Sequence, residues 1–446
     1  MKKLFEDLTS FKFVVEDGIF SSALTADRKE KVEGYIYPGF IDSHAHLVGL
    51  GLKKITPSLE DLPSVDEIMK VAKSSDAMIL RGWDDEIIGR YPEKSEIDLI
   101  DRPLLLVRRC GHIGIANEKF LRIAKIDSDD GILRESKMIN ALKSLKPDHE
   151  FLKKAVDAGQ KEFFRYGVTS VHSDDSSDLP HETVKELFSD LKIDVYEHLH
   201  IHSLEEMERL LTLKPKTIKL LVDGSLGART AFLRSKYDDF DGRGLLNFNR
   251  DELVRIIQIA NENGIQVAAH AIGDGALDVL LDAFAHSDPS LRHRIIHVQM
   301  AWPEQIKKIG ELKICVDLQP QFFVSDEKMS KERIGSRMKV AYPFKAIIDN
   351  GIRTAFSSDA PVEIPDPLLG IKAAIKMGID VQTALKAYTV EGAFQEFKEG
   401  NKGLIKDGMI ADFVVLSRPL GEDGNRVLAT YKRGEKVWSY RTIQEG

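Results

Sequence analysis

From about residue 151 onward the chain alternates apolar runs of strand length with segments of helical periodicity, and this limits the folds open to it. The segment Phe151 to Tyr166 sets Leu152, Ala155, Val156 and Phe163 on one helical face, with Gly167 placed to end it. Strand-like runs follow at Val168 to Val171, Asp194 to Ile201, Thr217 to Val222, Ile265 to His270, Ile295 to Val298, Ile314 to Leu318 and Ile352 to Phe356. Helical segments separate them at Val184 to Phe188, Leu204 to Leu211, Asp251 to Glu262, Ala276 to Phe284, Pro303 to Leu312 and Phe344 to Asn350. Two more helices follow, Leu368 to Ile375 and Val381 to Tyr388. With the apolar run Tyr35 to Ile41 at the front, the strands number eight. Strands separated by helices pair in parallel through right-handed crossovers, and eight such units close into a (β/α)8 TIM barrel. A doubly wound open sheet is the competing architecture, but no Gly-x-Gly-x-x-Gly phosphate turn follows the first strand.

The chain, at 446 residues, has room for a barrel and a smaller domain. Strand-like segments at both ends, Lys12 to Val15 and then Asp412 to Leu416, Arg426 to Tyr431 and Lys436 to Tyr440, are too few to fold separately. They are expected to meet in one small composite β domain of β-sandwich type, residues 1–36 and 400–446. The barrel is then 37–54 with 151–399, and the irregular stretch 55–150 is an insertion or lid subdomain. A formal charge of −8 and no long basic run argue against nucleic acid as partner. No window approaches a membrane span, and Met1 to Val15 lacks the apolar core of a signal peptide. Two cysteines, Cys110 and Cys315, fit a reducing compartment, so a cytoplasmic protein is expected.

Chemistry in such barrels lies at the C-terminal ends of the strands. The first apolar run leads into His44 and His46, which an extended strand projects to one face. Strand five ends at His270, strand six at His297, and strand eight runs into Ser357-Ser358-Asp359. Lys219 interrupts the otherwise apolar strand four. One buried histidine is usually a hydrogen-bonded core residue, but five residues of metal-ligand type at four strand ends, with a lysine in a fifth strand, point to a metal centre.

These stretches give the chain a resemblance to the amidohydrolase superfamily and, within it, to the branch of YtcJ-like metal-dependent hydrolases (amidohydrolase family 3). It rests on PGFIDSHAHL (38–47), IKLLVDGSLGARTA (218–231), AAHAIGDGAL (268–277), RIIHVQM (294–300), FSSDAPV (356–362) and GLIKDGMIADFVVLS (403–417). The resemblance implies that His44 and His46 hold the deeper metal. It makes Asp359 both a ligand of that metal and the group that manages the proton, and it places a second metal on His270 and His297. Lys219 matches a lysine that carries CO2 as a carbamate and bridges both ions. One departure is Ile296, which precedes His297 where the family often has glutamate. Two divalent ions about 3.5–4 Å apart can hold a bridging hydroxide and polarise a carbonyl, which makes hydrolysis of an amide or related C–N bond the expected reaction. Zinc suits the histidine-rich set best, and the cofactor is one or two divalent ions.

Trp83, Asp84 and His112 resemble positions on the lid over the active site, although Trp83 could equally pack the insertion's own core. His172, ending strand two, is a candidate substrate contact. Arg229, on a glycine-rich loop, could fork onto a substrate carboxylate or carbonyl, and Gln319, ending strand seven, could donate to substrate. Asp274 reads as a helix cap. The run His198, His200, His202 lies by alternation on one face of strand three and rivals the first motif by spacing alone, with His200 best placed to line a pocket. A mononuclear deaminase of a nucleobase-like or amidine substrate is the alternative reaction, but no glutamate follows His270 in Ala271-Ile272-Gly273-Asp274. A non-catalytic scaffold is disfavoured by the complete ligand set. A small-molecule substrate is the expected partner, and a homo-oligomer is compatible with it.

Overall fold

The structure, a computed structural model, describes residues 2–22, 25–108, 113–134, 137–138, 149–177 and 179–440. The chain divides into two compact units, one from Met1–Leu47 with Gln160–Gly446 and one from Val48–Gly159.

In the first unit, parallel strands follow in chain order: Phe40–Ala45, Val168–Ser173, Asp194–Glu197 with Leu199–Ile201, Thr217–Leu221, Gln266–Ala271, Arg294–His297, Cys315–Leu318 and Thr354–Phe356. Every pairing within this series is parallel. Some of the helices between them start and stop where the sequence supplies caps. Arg250–Asn263, for example, opens on a capping box of Asn249 and Glu252 and ends at Gly264, whose φ of 65° suits glycine. At the two ends of the series, Ser43 Oγ donates to the Phe356 carbonyl, Asp359 N–H to the His44 carbonyl, and His46 N–H to the Ala360 carbonyl.

Two expected strands are divided. The run Tyr35 to Ile41 is not one strand: Tyr35–Pro38 pairs antiparallel with Phe413–Leu416, and Phe40–Ala45 begins the parallel series. The chain changes sheet at Gly39, where a Cβ would lie 2.4 Å from Thr169 Oγ1. The run Asp194 to Ile201 is broken at His198. Its first half pairs with Val168–Ser173 and its second with Thr217–Leu221. Ser176 causes the break by inserting its hydroxyl, which donates to the His198 carbonyl at 2.8 Å and accepts from His200 N–H at 2.8 Å.

Both ends of the chain contribute to a pair of four-stranded sheets. One joins Lys2–Glu6, Lys12–Glu16, Ile19–Ser21 and Arg28–Lys31; the other joins Tyr35–Pro38, Phe413–Leu416, Val427–Lys432 and Glu435–Ser439. Phe5, Phe20, Phe413 and Tyr431 share one core, with Phe413 stacked on Tyr431 at 4.3 Å. The charged stretch Arg28–Lys31 is an edge strand, where lysines discourage pairing with another chain. The Val48–Gly159 unit has its own four-stranded sheet and a core around Trp83, Ile68 and Leu106. Among the described residues no helix is long and apolar enough to cross a membrane.

A largely buried ionic network meets at Asp194, the first residue of the strand Asp194–Glu197. Lys432 bridges Asp412 at 2.5 Å and Asp194 at 2.8 Å, and Lys402 bridges Glu396 at 2.6 Å and Asp194 at 3.5 Å. Burial pushes the Asp194 carboxyl up, but Lys432 and Lys402 outweigh it and hold it below its usual value. For Glu396, burial is likewise outweighed, by His172 and Lys402. A depressed carboxyl pKa stabilises the fold above the unfolded value of about 4 and loses that contribution as pH falls through the folded value. Asp194→Asn should therefore lose less of its urea midpoint than the wild type between about pH 6 and pH 3. Equal losses would show that this carboxylate contributes nothing to the acid response.

Candidate metal centre

His44 lies in the strand Phe40–Ala45 and His46 just beyond its end. Their Nε2 atoms lie 3.2 and 3.4 Å from one oxygen of Asp359, Oδ1. Among the described residues these three side chains form the one group whose ligand atoms all fall within 4.8 Å of one another. Asp359 follows the strand Thr354–Phe356 with φ 57°, in the left-handed region. His270 ends near the last residues of Gln266–Ala271 and His297 closes Arg294–His297. Their ring centroids are 4.5 Å apart, and His297 is 5.4 Å from His44. His297 and Val298 have φ of 82° and 46°. A β-branched residue rarely adopts this conformation, and each such residue stores about 1–3 kcal/mol of strain. Val298 N–H to the Ala271 carbonyl and Met300 N–H to the Ile272 carbonyl, both 3.0 Å, hold the turn.

Three of these imidazoles are oriented in one manner. His46 Nδ1 donates to the Asp174 carbonyl at 2.9 Å, His270 Nδ1 to Asp223 Oδ1 at 3.1 Å, and His297 Nδ1 to Gln319 Oε1 at 2.8 Å. In neutral His270 and His297 this tautomer leaves the Nε2 lone pair for a ligand, and His46 would offer its own once a metal displaces the Nε2 proton, the arrangement in which histidine binds metals with an acceptor behind it. Asp223 is fully buried and also accepts Ile272, Gly273 and Phe232 N–H groups, so it fixes the loops on both sides of His270.

The charges agree with a cation site. Burial, helped by Lys219, pushes His44 down to about 4, and burial with His270 holds His297 well below its usual value, so both are neutral imidazoles. Burial pushes the Asp359 carboxyl up, but His44 and His46 outweigh it and hold it well below the carboxylate range. Burial also opposes a charge on His46, yet Asp359 and Asp174 raise it to about 9. Negative potential strong enough to do this equally favours a metal ion beside that ring. The donor set therefore fits a divalent metal.

Lys219 is buried, and its Nζ donates to Asp174 Oδ2 at 2.6 Å. Asp174 also accepts from His200 Nδ1 at 3.4 Å through its other oxygen. Sequence reasoning missed Asp174 and Asp223, although Asp174 directly follows a parallel strand, Asp223 lies two residues past the end of another, and the strand-end rule would have found them.

Other candidates are placed differently. Trp83 is fully buried in the core of its own unit, with Nε1 donating to the Leu106 carbonyl. Asp84 caps the helix Asp85–Ile88 and pairs with Arg108 at 3.1 Å. His112 lies outside the described residues. His172 is fully buried, accepting from Arg294 Nη1 at 3.0 Å, so it faces the interior charges and not a pocket wall. Arg229 forks onto Asp239 at 2.7 and 3.2 Å, which commits its guanidinium within the loop. Gln319 orients His297 and donates to Ser357 Oγ at 2.8 Å, so both ends of its amide are engaged inside the protein. Asp274 is not a cap: Gly273 holds that position, while Asp274 accepts from Arg234 N–H and Trp302 Nε1. Of the histidine run, His198 is fully buried 3.2 Å from Arg294, and His202 is exposed and stacked on His200 at 4.6 Å.

Known proteins resemble this chain over most of its length. The family model described as "Amidohydrolase family" matches residues 33–438. Putative amidohydrolase YtcJ of Bacillus subtilis is 32% identical over 475 aligned positions, covering 90% of each chain. Protein LONG AFTER FAR-RED 3 of Arabidopsis thaliana is 28% identical, covering 90% of this chain and 82% of its own. The crystal structure of an uncharacterized metal-dependent hydrolase from Pyrococcus furiosus superposes with a TM-score of 0.83 at 29% identity, over 95% of this chain and 100% of that one. The chain belongs to the amidohydrolase family and is a hydrolytic enzyme acting on carbon–nitrogen bonds.

Proposed function

We propose that the chain is a metal-dependent hydrolase cleaving an amide or related C–N bond of a small molecule, with His44, His46 and Asp359 holding a divalent ion. The convergence of two imidazole Nε2 atoms on one oxygen of Asp359 carries this reading. Zinc suits the set best, and His270 and His297 would hold a second ion. Carbamylation of Lys219 would turn its ammonium into an anion able to bridge the two positions. A bound divalent ion supplies Lewis acidity that polarises the scissile carbonyl and acidifies water. Asp359 Oδ1 faces the two histidines, which leaves Oδ2 to take the proton of the attacking water and return it to the departing nitrogen. Asp223, Gln319 and the Asp174 carbonyl keep the imidazoles aimed while this happens.

In this reading the parallel series is a closed (β/α)8 barrel, which the hydrogen bonds between Ser43, His44, His46 and residues Phe356 to Ala360 support. The two terminal sheets form its β-sandwich companion, residues 1–36 with 400–446, and 55–150 is an insertion subdomain. A net charge of −8 favours a small-molecule substrate over nucleic acid, and the cysteine content favours the cytoplasm.

The test is metal analysis of protein expressed with zinc or manganese, followed by a hydrolysis screen over N-acyl amines, formamides, cyclic amides and carbamates. At least one ion per chain and release of an amine are expected. Less than one ion per chain after supplementation would undo the site, and bound metal with no hydrolysis in any class would undo the reaction. Intact mass measurement checks Lys219 separately by the mass of one added CO2.

A further inference from the structure

We propose that Asp42 is a positioning residue of the metal centre, its buried carboxyl group clamping the turn that carries Asp359 onto the strand that carries His44 and His46. The proposal rests on the metal-dependent reading above and adds a residue to which that reading gives no role.

Asp42 stands two residues before His44 in the strand Phe40–Ala45 and is 1% exposed. Its two oxygens divide the work. Oδ1 accepts Ser358 N–H at 3.0 Å and His44 N–H at 3.4 Å, while Oδ2 accepts Ser358 Oγ–H at 2.5 Å. Ser358 Oγ in turn accepts Ala360 N–H at 3.0 Å. Between them, Asp359 N–H donates to the His44 carbonyl at 2.9 Å. All three N–H groups of Ser358, Asp359 and Ala360 are thus held, one on Asp42 directly and one through the hydroxyl that Asp42 orients.

The clamp acts on a residue that needs it. Asp359 has φ 57°, a conformation a non-glycine residue keeps only when its surroundings over-determine it. Without the Asp42 carboxyl group, Ser358 N–H and Oγ–H would be buried without acceptors, since Ser358 is 2% exposed. Relaxation of that turn would move Asp359 Oδ1 away from the two Nε2 atoms, and a displacement of about 1 Å is enough to cost a site most of its function. Two parallel hydrogen bonds to one serine fix orientation as well as distance. An asparagine would keep one acceptor and present an N–H2 group to a hydroxyl that already accepts from Ala360.

The experiment measures Zn2+ affinity by chelator competition, with far-UV circular dichroism and the thermal midpoint of the metal-free protein as controls for folding. Asp42→Ala is expected to bind Zn2+ about 10–100-fold more weakly than wild type, the usual cost of losing a group that orients a ligand. Ser358→Ala should shift in the same direction, and Asp42→Asn should fall between wild type and Asp42→Ala. The Asp42→Ala/Ser358→Ala double variant should be no weaker than Asp42→Ala alone, because both changes open one clamp. Folded Asp42→Ala or Ser358→Ala that binds Zn2+ within about twofold of wild type would overturn the proposal, as would additive losses in the double variant. Should Asp42→Ala not fold, Ser358→Ala decides the matter alone. Wild-type protein that binds no divalent ion would overturn the metal reading itself, an outcome distinct from variants that match a metal-binding wild type.

Discussion

Asp359→Asn should lower kcat by about 10²–10⁴-fold, the usual share of a positioned proton-transfer group. Asparagine has nearly the same shape and can still set an oxygen 3.2–3.4 Å from His44 and His46, but it cannot take a proton from water. The carboxylate is also the one negative ligand of the convergent group, so metal affinity should fall alongside kcat. Steady-state kinetics on a substrate found by the screen, with metal content measured on the same samples, checks both effects. The two histidines hold the Asp359 carboxyl well below the ordinary range, which favours the ionised form that a general base needs. Turnover within about threefold of wild type at equal metal content would end its proton role.

Arg294→Met should destabilise the protein by about 3–5 kcal/mol, more than most single changes, because it strands a charge in the interior. Arg294 is fully buried at the start of its strand and donates through Nε to Asp317 Oδ2 at 2.8 Å and through Nη2 to the Ser43 carbonyl at 2.7 Å. Its remaining reach goes to His172 and His198. Asp317 is also fully buried and would be left without a cation. An Arg294→Met/Asp317→Leu pair should regain most of the loss, since an interior ion pair contributes little against well-packed apolar groups of like volume. Urea unfolding of the three proteins measures it, and a loss under about 1 kcal/mol in the single variant would show that water reaches Asp317.

Much of the centre was legible because its residues violate the pattern around them. Histidines and an aspartate at the ends of apolar strands stand out, and Lys219 stands out inside one. The structure brings His44, His46 and Asp359 to one point and sets His270 beside His297. What supports them was not legible, since it depends on register between strands far apart in sequence. Gln319 read as a substrate donor because nothing in the sequence places its amide behind His297. Asp223, Asp174 and Arg294 were not singled out, because the groups that they hold come from strands distant in sequence. The break at His198 arises from one hydroxyl, that of Ser176, and alternation of residue type carries no trace of it. The division at Gly39 was hidden differently. Both sheets ask for the same apolar periodicity, so only the close approach of Thr169 marks the change.

The acceptors behind the three oriented imidazoles differ in chemical kind, and so in what mutation can do to them. His46 leans on a main-chain carbonyl, which no amino-acid substitution at that position deletes. His270 leans on a carboxylate and His297 on a neutral amide, each removable or exchangeable by a single codon change. A carboxylate also makes its imidazole a stronger electron donor than an amide does. One flank of the centre is therefore nearly immune to drift in its donor strength. The other can be graded in either direction, so on the proposed two-ion reading divergence in metal preference among descendants of this chain should fall on the His270–His297 side.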